Sequence, residues 1–197
     1  MFVCQCGSGH EHQCVCLQIL MYRVYPHKRY SMTEAFMAKH LPVPCKILDL
    51  GVDNPLSQRL RTLGYQVQNT SGQDLDLNPA EAHQTGFDAV TGFEILEHLI
   101  NPMGVLRDIQ SNKLMVSIPL RLWFSAAYRS KTDPWDRHYH EFEDWQFDWL
   151  LEKSGWTIVD RLYGTHPVKK VGIRPLLRLF TPRYYWVYAV RNTELNP

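Results

Sequence analysis

Three groups of residues in this chain have the types and spacing for chemistry. Cys4, Cys6, Cys14 and Cys16 form two C-x-C pairs, with His10 and His12 between them. Thiolates and imidazoles this close together can supply a tetrahedral zinc site, although structural sites more often space their cysteines about two to four residues apart. A reduced tail without metal is the competing reading, and a disulfide suits a cytosolic compartment poorly. Glu94 and His98 are four positions apart. On a helix they share a face, where the carboxylate can orient the imidazole and raise its basicity for general acid–base work. The segment 132–142 gathers His138, His140, Arg137, three carboxylates and several aromatic rings. Placed where strands end, such a segment can cover a substrate and touch it with His138 or His140.

The elements that must hold these groups follow from periodicity. Residues 17–40 carry apolar positions at helical spacing, broken by Pro26. A second helix is expected from Ser31, an N-cap with Glu34 three residues on, to about Lys39. The pattern then alternates. Strands are expected at 47–50, 65–69, 87–93, 114–118, 156–162 and 184–191. Helices fall between them at 56–63, at 95–109 with a break at Asn101-Pro102, and at 143–154 with Gly155 as the C-terminal cap. Residues 114–118 are almost wholly apolar, the pattern of a strand covered on both faces. This alternation predicts a doubly wound α/β sheet. Trp145 and Trp149, at helical spacing, are expected to face the core. The basic, proline-broken stretch after Gly164, with Lys169, Lys170, Arg174, Arg178 and Arg183, reads either as a solvated excursion or as a patch at a pocket mouth.

Composition sets the outer bounds. At 197 residues and 23.1 kDa, a Cys/His segment (1–16), N-terminal helices (17–45) and one α/β domain (46–197) account for the chain. A net charge of +1 offers no global attraction to nucleic acid, and no nucleic-acid partner is expected. The apolar run at 15–22 is far shorter than the roughly 20 residues that span a bilayer, and no cationic region precedes it. A soluble, cytoplasmic protein without transmembrane segment or signal peptide is the expectation. Cys45 reads as a buried small hydrophobe.

The run Phe87-Asp88-Ala89-Val90, followed by Glu94-Ile95-Leu96-Glu97-His98-Leu99, Asn101-Pro102 and Leu106-Arg107-Asp108-Ile109, resembles class I S-adenosylmethionine-dependent methyltransferases. It is similar in particular to a large bacterial group that reads F-D-x-V, E-x-L-E-H-L, x-x-P, L-x-E-I over its fourth strand and the helix after it. The segment K-I-L-D-L-G at 46–51 stands where that family carries its first motif, and 114–119 where it has its fifth strand. His140-Glu141-Phe142 and the run 150–156 match its later H-x-x-x-F, helix and strand. The likeness spans about 28–191.

That resemblance implies a Rossmann-like, seven-stranded, mostly parallel sheet with its last strand antiparallel and helices on both faces. It implies S-adenosylmethionine over the carboxyl ends of the first strands. Asp49, Leu50 and Gly51 would line its amino-acid half, and Phe93 and Glu94 would flank the cofactor and the acceptor entrance. His98 then becomes either a catalytic base or a residue that lines the pocket. The family's D-x-G-x-G-x-G is here Asp49-Leu50-Gly51-Val52-Asp53-Asn54-Pro55. A proline cannot take positive φ, so the loop must follow another path, with Asp53 expected to cap the next helix. The family's acidic residue after strand two is replaced by Asn69 and Thr70, which can offer the ribose a neutral hydrogen bond. Residues 71–87 are too few for a helix and a full third strand, and Asp74 with Leu75 is expected to take the adenine side. The implied activity is methyl transfer to a small-molecule or saccharide acceptor. A hydroxyl is favoured because the N-P-P-Y/F signature of amino-group methylation is absent. The alternatives are a methyltransferase-like binding module without catalysis and a zinc-dependent interaction element at the N-terminus.

Overall fold

Strand β1 (Lys46–Asp49) shows why this chain builds a sheet covered on both sides. Its consecutive apolar residues point alternately to opposite faces, Ile47 into one buried cluster and Leu48 into another. The computed structural model describes residues 27–166 and 170–191, so Cys4, Cys6, Cys14, Cys16, the helix expected before Pro26 and Lys169 lie outside the described residues. Five more strands follow: β2 (Gln66–Asn69), β3 (Ala89–Phe93), β4 (Lys113–Pro119), β5 (Thr157–Thr165) and β6 (Pro182–Val190). They form one sheet in the order β2-β1-β3-β4-β6-β5. β2, β1, β3 and β4 pair in parallel, and β6 runs antiparallel to both β4 and β5.

Helices α1 (His27–His40) and α2 (Pro55–Thr62) cover the face that presents Ile47, Met115 and Trp186. Helices α3 (Pro102–Asp108) and α4 (Asp144–Lys153) cover the face that presents Leu48, Val116 and Val187. The doubly wound α/β sheet is therefore present, with six strands among the described residues in place of the seven expected. The link after β2 holds only a short 3-10 turn, Pro79–Glu81, because it is too short for a helix and a further strand. β2 becomes the sheet edge, and Arg61 Nε donates to the Val67 carbonyl at 3.0 Å, which helps to blunt that edge against further pairing.

Other expectations need correction. Helix α1 is already formed at His27, so Ser31 lies inside it and its hydroxyl donates back to the His27 carbonyl at 2.9 Å. The cap of α2 is Asn54 rather than Asp53: its side-chain oxygen accepts from Leu56 N at 2.9 Å and Ser57 N at 3.1 Å. Pro55 stands at the first turn, where a missing N–H costs nothing. The break at Asn101-Pro102 is where it was expected, between a 3-10 turn (Leu96–His98) and α3. Trp145 and Trp149 are exposed and pack edge-to-face on each other, because Phe147 and Leu151 of α4 occupy the core side. The basic stretch carries a helix, α5 (Ile173–Phe180), whose Ile173, Leu176, Leu179 and Phe180 are all exposed. Cys45 is buried as expected. Among the described residues no helix is long and apolar enough to cross a membrane.

Helix α1 is locked to the sheet by Trp186 of β6, whose buried indole Nε1 donates to Thr33 Oγ1 at 3.0 Å. Thr33→Val keeps the shape and removes the acceptor, leaving a buried N–H unpaired. The expected loss is about 1–3 kcal/mol, read as a lower urea midpoint at unchanged m-value.

Candidate functional site

At the carboxyl end of β1 the chain buries a charge. Asp49 is 4% exposed, and its carboxylate accepts from Thr91 Oγ1 (2.6 Å, β3), Ser57 Oγ (2.8 Å, α2) and Asn69 Nδ2 (3.1 Å, β2). Burial pushes its pKa up to about 6, against the pull of those three donors. The next turn needs glycine: Gly51 has a φ of 112°, and a Cβ there would lie 3.3 Å from Ile95 Cδ1. Its N–H donates to Thr70 Oγ1 at 2.7 Å.

Above this turn, at the carboxyl ends of β1 and β3, a cavity of about 450 Å³ opens. That volume is in the range of small-molecule sites. Gly51, Val52, Thr70, Asp74 and Leu75 border it on the β2 side; Phe93, Glu94, His98, His138 and Tyr184 border it on the β4 side. Pro55 is not in its wall, so the altered first-motif loop leaves the hollow open. Seven carboxylates line it against two guanidiniums, Arg29 and Arg183, which favours a cationic occupant.

The β4 side is where the titratable groups meet. Glu94 takes a left-handed φ of 58°, unusual for a residue with a side chain, and its carboxylate accepts from Ser117 Oγ (2.9 Å) and Arg29 Nη1 (3.2 Å). The expected Glu94–His98 pairing is therefore not made. A left-handed residue followed by a 3-10 turn does not bring positions four apart onto one face, as an α-helix would. Glu97 takes that place, with Oε1 3.7 Å from His98 Nε2. His98 Nδ1 lies 3.0 Å from the Arg137 carbonyl, an acceptor, so Nδ1 carries a proton, and in the neutral ring the Nε2 lone pair faces Glu97. Glu97 is 1% exposed, and its Oε2 has no hydrogen-bond partner. Burial, then the neighbouring Glu94 charge, hold its carboxyl well above the usual range. The His138 ring packs against His98 with centroids 4.7 Å apart. Burial, with His98 and Arg183 nearby, pushes its pKa down to about 4. It is therefore neutral at pH 7 and weak as a general base.

Of the residues expected at the site, Asp49, Leu50, Gly51, Thr70, Asp74, Leu75, Phe93, Glu94, His98 and His138 border this one cavity. Asn69 and His140 do not. Asn69 Nδ2 is turned inward to Asp49 and Ser57, and its Oδ1 accepts from Arg61 Nη2 at 2.6 Å, so it has little left for a ribose. His140 stacks on Phe142, with Nε2 3.3 Å from the Ile100 carbonyl. Of the described basic residues between 164 and 183, Arg183 alone borders the cavity. Sequence reasoning missed Arg29, Tyr30, Glu97, Tyr128 and Tyr184, which also line it. Glu97 carried a signal, its place beside His98; the others have no local signature.

No protein-family model matches the sequence, and no curated protein does. Solved structures do match. An S-adenosylmethionine-dependent methyltransferase from Archaeoglobus fulgidus superposes with a TM-score of 0.56 at 13% identity, covering 90% of this chain and 99% of that one. One from Methanosarcina mazei gives 0.54 at 13% identity, covering 79% and 96%. The chain has the fold of the S-adenosylmethionine-dependent methyltransferases. In this methyltransferase fold, Asp49 braces the turn beside the cavity, and its raised pKa has a consequence for stability. A carboxyl bound more tightly to its proton in the folded state stabilises fully below about pH 4, and that contribution is lost as pH rises through about 6. Asp49→Asn is expected to flatten the fall in melting temperature between pH 4 and 7, measured by calorimetry across that window.

Proposed function

We propose that the chain transfers a methyl group from S-adenosylmethionine to a hydroxyl of a small-molecule or saccharide acceptor. The observation that carries this reading is the open cavity at the carboxyl ends of β1 and β3, beside Gly51 and Glu94. Its acidic lining suits a ligand that bears a sulfonium and an ammonium group. Tyr30 lines it too, and the Tyr30 Oη is buried without a hydrogen-bond partner, as expected of a group that meets a polar ligand.

Within that reading Gly51 lets the backbone approach the amino-acid half, and the Thr70 hydroxyl, already accepting from Gly51 N, still has a proton to donate. Asp74 and Leu75 close the adenine side, while Phe93 and Glu94 stand between cofactor and acceptor. When bound, the cofactor supplies a methyl carbon attached to a positively charged sulfur. The protein's part is to hold an acceptor oxygen in line with that bond, where positioning carries much of the rate. The groups facing the acceptor are then His98, His138, Glu97 and Tyr184. Asn69 acts through Asp49 and His140 through the segment that carries His138.

Calorimetric titration of the full chain with S-adenosylhomocysteine is expected to give a micromolar dissociation constant. Gly51→Ala, strained at positive φ, is expected to weaken it roughly tenfold, consistent with a penalty of about 1–2 kcal/mol. Absence of binding by the parent chain to either nucleoside removes the proposal. Binding without turnover on any hydroxyl acceptor leaves the non-catalytic module.

A further inference from the structure

We infer that Glu97, His98 and His138 form a site for a divalent transition-metal ion at the acceptor end of the cavity. We assign the ion the role of holding the acceptor oxygen, a role that rests on the methyl-transfer reading above. One ligand atom from each residue lies within 4.8 Å of the other two. A tetrahedral site with bonds of about 2.1 Å needs ligand atoms about 3.4 Å apart, so closure asks for up to about 1.4 Å. Glu97 and His98 are adjacent on one rigid turn, and His138 rides on a surface segment that can make that adjustment.

Three features point to a cation rather than to a fortuitous cluster. The Arg137 carbonyl takes the His98 Nδ1 proton and turns the Nε2 lone pair inward, as the outer hydrogen bond of a metal-bound histidine does. That nitrogen faces a Glu97 oxygen at 3.7 Å, beyond hydrogen-bond distance, so neither group satisfies the other. The other oxygen of Glu97 is buried and unpartnered. The same turn fixes the segment carrying the third ligand, because the Glu97 carbonyl accepts from Tyr139 N at 2.9 Å and His140 N at 3.2 Å. Two imidazoles and one carboxylate leave a coordination position open and favour zinc-like ions over magnesium.

In that open position a hydroxyl is made more acidic and gives its proton to water. The oxygen's electron pair then forms the bond to the methyl carbon. The carbon–sulfur bond breaks with its pair on sulfur, leaving a neutral thioether.

The test uses the full chain with Cys4, Cys6, Cys14 and Cys16 all changed to serine, so that zinc held by those thiols cannot be counted. Stripped with chelator and dialysed against zinc, it is expected to retain one zinc per chain, and little magnesium under the same conditions. Cobalt in place of zinc is expected to give visible absorption without thiolate charge-transfer bands. Glu97→Gln, His98→Gln and His138→Gln are each expected to weaken zinc at least about tenfold. Because His138 lies outside the packed core, its variant also guards against loss of zinc through misfolding. No retained zinc, or affinity unmoved by all three substitutions, overturns the site. Titration of the same samples with S-adenosylhomocysteine separates the two claims. Nucleoside binding without zinc removes the metal and leaves the transferase reading, whereas zinc without nucleoside binding keeps the site and removes its role in methyl transfer.

Discussion

A carboxylate taken out of water must be surrounded by donors or it neutralises, and much of the cavity floor is organised around satisfying Asp49. Its three partners come from β2, β3 and α2, so one side chain ties together the elements that meet at the first turn. The support extends outward: Arg61 holds Asn69 through Oδ1, pairs with Asp53 at 2.5 Å, and reaches the edge carbonyl of Val67. This chain gives a physical account of the departures from the usual first-motif pattern. Asp53 and Asn69 stand where a glycine and an acidic residue are common, and both are used as braces. The turn keeps its shape by these hydrogen bonds together with the positive φ of Gly51.

Much of the architecture was legible because burial leaves a periodic trace. The nearly continuous apolar run at 114–118 became the central strand β4, and Asn101-Pro102 marked a true break. Of the ten residues brought together at the cavity, Asp49, Leu50, Gly51, Thr70, Phe93 and Glu94 lie at strand ends, where alternation places them with little ambiguity. The failures share a cause too. The shift from Glu94 to Glu97 as the partner of His98 depends on one left-handed residue, which periodicity cannot register. Helix α4 carries two apolar stripes, and spacing alone does not say whether Trp145 and Trp149 or Phe147 and Leu151 turn inward. That the described residues hold six strands in place of seven was foreshadowed by the short link after β2, yet family likeness argued for seven.

The β4 side of the cavity depends on contacts that no local pattern encodes. Strand β6 returns antiparallel beside β4 and delivers Arg183 and Tyr184, with Arg183 anchored on the Leu120 carbonyl at 2.7 Å. Helix α1, about 150 residues earlier in the chain, lays Arg29 over the Tyr184 ring at 5.2 Å and against Glu94. Closing this wall therefore requires the two ends of the described chain to meet.

The two walls consequently differ in how freely they can diverge. One is drawn from two short runs, 49–56 and 70–76, tied from behind by the Arg61–Asn69–Asp49 relay, so a change at one position is felt by several. The other borrows part of its surface from 128–139, outside the sheet and hung from a single turn at Glu97. That hanging segment can be rewritten with little effect on the sheet, while the wall beside β1 and β2 stays under much tighter constraint.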